Sequence, residues 1–164
     1  MSLLDGGGWD FAAVCFPALG ALSRMFLGYH WPQASRVTDT EAALYGQVIR
    51  GACRMLDQML GKLVQAAGED AAVVLVSPHG VAPSPMPNFR PGAEASGEWK
   101  SPQGILAACG PGWGADALVL GASGVDVAPT ILTWFGLPMG DDMEGRVLLE
   151  AFAKAPVVGR VPSW

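Results

Sequence analysis

The sequence predicts an α/β protein in which a mostly parallel central sheet is flanked by helices. Three features of the 164-residue chain indicate this fold class. A short apolar run at residues 11–16 has the length of a strand, residues 38–68 have helical spacing, and a second apolar run follows at residues 71–76. Strand, long helix and strand in this order predict a βαβ unit with two parallel strands.

The predicted helix has a well-defined start and end. Thr38 and Glu41 have the spacing of a capping box, in which each side chain hydrogen-bonds a backbone N–H of the first turn. Leucine, methionine and valine then recur on one helical face as far as Gly68, a residue type that commonly ends helices. We expect this apolar face to be core packing.

The rest of the chain completes a single predicted domain over residues 1–164. The run at 71–76 is apolar at every position, so we expect a central strand covered on both faces. The later elements are predicted in chain order as a long loop rich in Pro and Gly at 78–102, a strand at 104–109, a helix ending at Phe135 and capped by Ser123 or Asp126, a short helix or turn at 142–152, and an extended tail at 153–164.

Composition excludes several classes of function. The net charge is −5, from 10 basic and 15 acidic residues, and no basic cluster is present, so we expect no nucleic-acid binding. No apolar stretch has the length of a membrane span, and the first residues contain Asp5 and no basic lead, so we expect a cytoplasmic protein. Three widely spaced cysteines, Cys15, Cys53 and Cys109, are predicted to be buried thiols.

One candidate site lies in the segment Ser77-Pro78-His79-Gly80, directly after the predicted strand. Ligands of open α/β sheets bind outside the carboxyl ends of strands, so an imidazole here can reach a metal or a phosphate. A hydrogen-bonded loop histidine is the alternative interpretation of His79.

Five stretches resemble the C-terminal half of the alkaline phosphatase superfamily, in its type I phosphodiesterase/nucleotide pyrophosphatase branch. They read CFPALGALSRMFLGYHWP, MLDQMLGKL, VVLVSPHG, GILAACGPGW and GVDVAPTILTWFGLPMGDDMEGRVLLEAF. The resemblance extends over about residues 10–152. It implies an alkaline-phosphatase-like fold and a family site with two divalent metals, typically zinc, that bind the phosphoryl group.

The family pattern implies ligands that this sequence lacks. An Asp and a His four residues apart are replaced by Gly20 and Arg24, and the Asp of a Ser-Asp-His-Gly turn is replaced by Pro78. A later His is replaced by Trp99, which leaves His79 as the one retained ligand-type position. Because a catalytic zinc needs about three protein ligands, we expect no metal cofactor and predict no catalytic residue.

Ser77 and Arg24 each suggest a different chemistry at these positions. The resemblance places the nucleophile in an N-terminal half that this chain lacks, and Ser77 with His79 as its base has no third group to orient it, so we do not expect a serine hydrolase. Arg24 can bind an anion bidentately where a metal ligand is lost, and the alternative is a solvated or locally paired arginine.

Three functions remain open from the sequence. The first is a degenerate, truncated relative of a metal-dependent phosphodiesterase without hydrolase activity of its own. The second is a non-catalytic binding or protein-interaction module, in which a second copy or a partner chain covers the face left by the missing half and exposed tryptophans mark the interface. The third is one half of a split phosphoric-ester hydrolase.

Overall fold

A computed structural model describes residues 8–30, 37–81 and 100–163, which belong to two compact units. The first unit is formed from Met1–Gly68 and Val81–Ser101, and the second from Glu69–Gly80 and Pro102–Trp164. The single domain over residues 1–164 stays a prediction. Among the described residues, no helix has both the length and the apolar character that a membrane span requires.

The first unit is helical. Helix α1 (Ala18–Phe26) runs into a 3₁₀ turn at Leu27–Tyr29, and helices α2 (Asp39–Tyr45) and α3 (Val48–Ala67) follow. The prediction of a strand at residues 11–16 is wrong, because the described chain has no strand there and residues 11–15 are exposed. A strand exists only through hydrogen bonds to a neighbouring strand, and the described residues supply none for this segment.

The predicted capping box is confirmed at the start of α2. The Thr38 backbone N–H donates to Oε2 of Glu41 at 2.9 Å, and the Glu41 N–H donates to Oγ1 of Thr38 at 3.3 Å. These bonds from the Thr38 backbone and hydroxyl hold the pKa of Glu41 below its ordinary value.

The prediction of one continuous helix is wrong, since the helix is interrupted at Gly46, between α2 and α3. A Cβ on Gly46 would lie 2.5 Å from the Ala42 carbonyl oxygen and 3.2 Å from that of Tyr29, so the chain passes too close for a side chain. Tyr29 is buried in contact with the rings of Phe26 and Tyr45, which raises its pKa. Phe26, Tyr29 and Tyr45 thus form an aromatic cluster next to the interruption at Gly46.

The long helix α3 is less buried than its pattern predicts. Ala52 is its buried residue, and Leu56, Leu60 and Leu63 are half-buried. Met55 and Met59 are exposed, so the expectation of core packing is wrong for the methionines. An apolar stripe predicts which side of a helix can be buried, but the amount buried depends on what packs against it.

The second unit contains the longest strands. Strand β1 (Val73–Ser77) pairs antiparallel with β4 (Ile105–Cys109), in a register that runs from Val73 opposite Cys109 to Ser77 opposite Ile105. The positions of both strands are confirmed within two residues. The parallel arrangement predicted for this strand is wrong in the described part of the chain.

Three pairs of short strands form all the sheets of the described residues. Besides β1 and β4, β2 (Gly80–Val81) pairs with β3 (Lys100–Ser101), and β5 (Met139–Gly140) pairs in parallel with β6 (Arg160–Val161). The expectation that β1 is covered on both faces is also wrong, because two-stranded pairing leaves Leu75 41% and Val76 39% exposed.

The second unit has its core around helix α4 (Val127–Trp134). A 3₁₀ turn at Gly124–Asp126 leads into α4, and Pro129 in its first turn is buried. The predicted turn after residue 142 contains a 3₁₀ turn at Leu149–Ala151. The most buried side chains here include Met139 and Leu148.

The prediction of buried cysteines is wrong for all three. Cys15, Cys53 and Cys109 are free and exposed. Cys15 lies in the segment before α1, Cys53 in α3 and Cys109 at the end of strand β4.

Candidate functional site

His79 follows the end of strand β1 and is half-buried. Its Nδ1 lies 3.1 Å from the carbonyl oxygen of Gly80. Because a carbonyl can only accept, Nδ1 carries the proton, and a neutral imidazole then has its lone pair on Nε2. Metal-binding histidines are commonly oriented in this way, by donation from the second ring nitrogen to a backbone carbonyl.

Ser77 does not act on this imidazole. Its Oγ donates to the backbone carbonyl of His79 at 2.8 Å, so the hydroxyl proton is directed at the main chain. A nucleophilic serine requires its proton to face the base. That Ser77 and His79 are not a catalytic pair stays a prediction.

The turn supplies no second metal ligand. Pro78 is exposed and carries no donor atom for a metal. Across residues 8–30, 37–81 and 100–163, no group of three or more His, Cys, Asp or Glu side chains is arranged to hold a metal ion. The described residues therefore do not fit the pair of divalent metals that the family resemblance implies.

Gly20 and Arg24 both belong to helix α1, where a spacing of four places them on the same helix face. Gly20 is half-buried, and a Cβ added to it would meet no atom within 4 Å. Arg24 is exposed in the last turn of α1, where a cation interacts favourably with the carbonyl end of a helix. This placement favours a local structural role for Arg24 over an anion contact.

The four altered positions are only partly described. Gly20 and Arg24 belong to the first unit and Pro78 and His79 to the second, and Trp99 lies outside the described residues. The family resemblance predicts that Gly20, Arg24, Pro78 and Trp99 lie near His79, and this stays a prediction.

Asp126 is a buried carboxylate, only 5% exposed. Its Oδ2 accepts from the Ser123 backbone N–H and its Oδ1 from the Arg146 backbone N–H, both at 2.8 Å. Ser123 in turn accepts from the Val125 N–H at 3.3 Å, so Ser123 caps the turn and Asp126 is its reciprocal partner. The spacing Ser-x-x-Asp was the signal for this box, but the distant bond to Arg146 has no sequence signal.

The side chain of Thr130 also connects the start of α4 to residues 146–148 by hydrogen bonds. Thr130 Oγ1 donates to the Asp126 carbonyl at 2.6 Å and accepts from the Leu148 backbone N–H at 3.0 Å. The Arg146 guanidinium meanwhile contacts both carboxylate oxygens of Glu150, at 2.7 and 3.1 Å. We call Asp126, Thr130 and the backbone of residues 146–148 the Asp126 network. It is structural, since both carboxylate oxygens are occupied by backbone donors.

The described tryptophans are half-buried, and an interface marked by exposed tryptophans stays a prediction. Trp113 stacks on Trp134 with ring centroids 6.4 Å apart and contacts Phe152 at 5.1 Å. Trp9 is the third tryptophan that the structure describes. Trp31, Trp99 and Trp164 lie outside the described residues.

The sequence model of the type I phosphodiesterase / nucleotide pyrophosphatase family matches residues 3–94. This is more than half of the chain, and the chain belongs to that family. Family membership confirms the resemblance and implies an alkaline-phosphatase-like α/β fold, and the match includes Gly20, Arg24, Pro78 and His79. No curated protein and no solved structure gives a significant match.

Proposed function

We propose that this chain is a degenerate relative of metal-dependent phosphodiesterases and has no hydrolase activity of its own. The observation that carries the proposal is the turn after β1, where His79 keeps the orientation of a ligand but stands beside Pro78 in place of a carboxylate. Gly20 and Arg24 add two more non-ligand residues at positions where the family pattern has an Asp and a His.

The chemistry of the family makes these losses decisive. A pair of divalent metals stabilises both the attacking and the leaving oxygen of an in-line displacement at phosphorus. Each metal needs about three protein ligands to be held with an open position for substrate. A single imidazole holds neither metal in that state, so neither a metal-bound phosphate nor an activated nucleophile can form on these residues.

The test is purification of the chain with zinc or manganese present, followed by elemental analysis and turnover of a chromogenic phosphodiester. We expect metal well below one ion per chain and no turnover above that of a His79→Ala variant. Stoichiometric metal with turnover that His79→Ala abolishes would overturn the proposal. The His79→Ala variant also separates activity of this chain from that of a contaminating hydrolase.

A Pro78→Asp variant sharpens the same experiment. It restores one carboxylate beside His79, so we expect measurable zinc binding that is weaker than a full site and still no turnover. If Pro78→Asp alone gives turnover, the remaining positions already form a working site and the proposal is wrong.

A protein-interaction module is the second candidate function, favoured by the exposed apolar side chains of β1 and β4. A split hydrolase ranks last, because Gly20, Arg24 and Pro78 would leave the metals underbound even beside a second chain. Turnover on mixing with a chain that carries the nucleophile would restore that candidate.

A further inference from the structure

The turn that carries His79 is held on both sides of that residue. On the C-terminal side, the hydroxyl of Ser77 donates to the carbonyl oxygen of His79 at 2.8 Å. This bond fixes the direction of the His79 carbonyl and hence of the planar peptide that leads to Gly80. Because Gly80 supplies the carbonyl that lies 3.1 Å from Nδ1, the Ser77 bond also sets where that acceptor lies relative to the ring.

On the N-terminal side, the backbone of Gly104 lies against the start of the same turn. A Cβ on Gly104 would collide with the Ser77 carbonyl oxygen, and it would lie 3.0 Å from the Pro78 carbonyl carbon and 3.2 Å from the His79 backbone nitrogen. Only glycine permits so close an approach of two backbones. Gly104 directly precedes β4, whose pairing with β1 ends at Ser77 opposite Ile105. The strand pair that positions Ser77 therefore also fixes the peptide before His79.

Pro78 removes a further degree of freedom between these two points. The proline ring fixes its backbone φ angle at about −65°. The residue before a proline is restricted to extended conformations, which agrees with the place of Ser77 at the end of β1. The backbone from Ser77 to His79 therefore has few alternative conformations once the strand pair has formed.

We propose that Ser77 is a positioning residue for His79, and that its hydroxyl, with the close approach of Gly104, holds the imidazole as the tautomer that has its proton on Nδ1 and its lone pair on Nε2. This inference deepens the proposed function, since it concerns the histidine on which that function rests. An unconstrained histidine side chain in water carries its proton mainly on Nε2, so the folded turn reverses the ordinary preference. Any ligand or proton that this side chain takes is then received at Nε2.

The competing role for Ser77 is to stabilise the turn without any effect on the ring. Both roles predict that loss of the hydroxyl lowers the stability of the fold, because a hydrogen bond is removed. Only the positioning role predicts that the proton moves between the two ring nitrogens of His79. The tautomer of His79 is therefore the quantity to measure.

The test is nitrogen NMR of the imidazole rings in the full chain at about pH 9, where an ordinary imidazole is neutral. A ring nitrogen that carries a proton and one that carries a lone pair have widely separated chemical shifts, so the spectrum reports the tautomer directly. The chain has two histidines, and the signals of His79 are those that disappear in His79→Ala. We expect the wild-type chain to show His79 protonated on Nδ1.

Three variants connect the tautomer to the turn. Ser77→Ala removes the hydroxyl, so the His79 signals should move toward the form protonated on Nε2, whereas Ser77→Thr keeps a hydroxyl, suits a strand and should retain the wild-type spectrum. Gly104→Ala keeps every hydrogen-bonding group but displaces the main chain of the turn, so it should also change the tautomer. The matched control Thr38→Ala removes a capping hydroxyl in the first unit and should leave the His79 signals unchanged.

A wild-type chain with His79 protonated on Nε2 overturns the inference, as does a folded Ser77→Ala chain that keeps the wild-type tautomer. If Ser77→Ala does not fold, Ser77→Cys takes its place in reductant, since a thiol keeps the shape of the side chain but is a weak donor. An unchanged His79 spectrum in Ser77→Cys would then refute the positioning role. Metal content and phosphodiester turnover are not read in these spectra, so either failure leaves the proposed absence of hydrolase activity standing.

Discussion

Replacing Asp126 with alanine is expected to destabilise the second unit by about 2–5 kcal/mol. Asp126 is buried, and its carboxylate accepts two backbone N–H bonds of 2.8 Å each. Hydrogen bonds to charged groups contribute about 1.5–3 kcal/mol apiece, which gives roughly 3–6 kcal/mol for two. Ser123 is exposed, so water can take over its N–H, which lowers the expected loss.

Two further variants separate the contributions of individual hydrogen bonds to this loss of stability. Asp126→Asn keeps the size of the side chain and one acceptor oxygen but turns an amide nitrogen toward the other N–H, so about half of the loss is expected. Thr130→Val removes the hydroxyl that accepts from Leu148 and leaves that buried N–H unpaired, at a cost of about 1–3 kcal/mol. Asp126 and Thr130 share one network, so the double variant should lose less than the sum.

Urea unfolding followed by tryptophan fluorescence measures these losses, since the half-buried Trp113 and Trp134 stack on each other in the same unit. Amide hydrogen exchange at Arg146 gives a local readout, which should speed up in Asp126→Ala. Glu150→Gln is the control, because its exposed ion pair with Arg146 is screened by water and should contribute little to stability. If Asp126→Ala costs no more than Glu150→Gln, the reasoning about the network is wrong.

Three smaller predictions concern helix ends and close approaches. Thr38→Ala should cost about 1 kcal/mol in thermal or urea unfolding, because the N–H of Glu41 loses its acceptor, whereas Thr38→Ser should be nearly neutral. The folded-state pKa of Glu41 lies below its unfolded value of about 4.3, so its contribution is present above that pH and is lost as the pH falls through the folded value; Glu41→Gln should flatten this dependence in a pH series of unfolding curves, and an unchanged slope would contradict it. Gly145→Ala should lower the unfolding midpoint because its Cβ would collide with the Val125 carbonyl, whereas Gly20→Ala, with open space inside a helix, should raise stability by about 0.5–1 kcal/mol.

The elements that the sequence predicts correctly are those with local causes. The Thr38–Glu41 capping box needs only residues three apart, and the structure forms it. Strand β1 and the turn into α4 are likewise found near their predicted positions, because apolar runs and Ser-x-x-Asp spacing act within a few residues.

The errors concern partners that are distant in the chain. Residues 11–16 have the composition of a strand, but composition does not supply a neighbouring strand, and the described chain has none there. For the same reason, the predicted direction of pairing at β1 is wrong. The neighbour of β1 is β4, about thirty residues further along the chain, and not a strand that precedes α3. The bond from the Arg146 N–H to Asp126 spans twenty residues and follows no periodicity.

At the candidate site too, the sequence predicts local features and misses those that depend on the folded turn. The sequence showed that a carboxylate is missing at Pro78 and that His79 remains, which are statements about single positions. It could not show that Nδ1 donates to Gly80 or that the Ser77 hydroxyl turns to the main chain, because both depend on how the turn folds.

The hydrogen bond from Nδ1 of His79 to the carbonyl of Gly80 has a consequence for metal binding at this turn. A flexible side chain loses conformational entropy when a ligand fixes it, and this loss weakens binding. Here the backbone already holds the ring, so that entropic cost is largely met before any ion arrives. If the proposed loss of ligands is correct, this turn needs added donor atoms beside His79, rather than a new backbone conformation, to bind a metal ion.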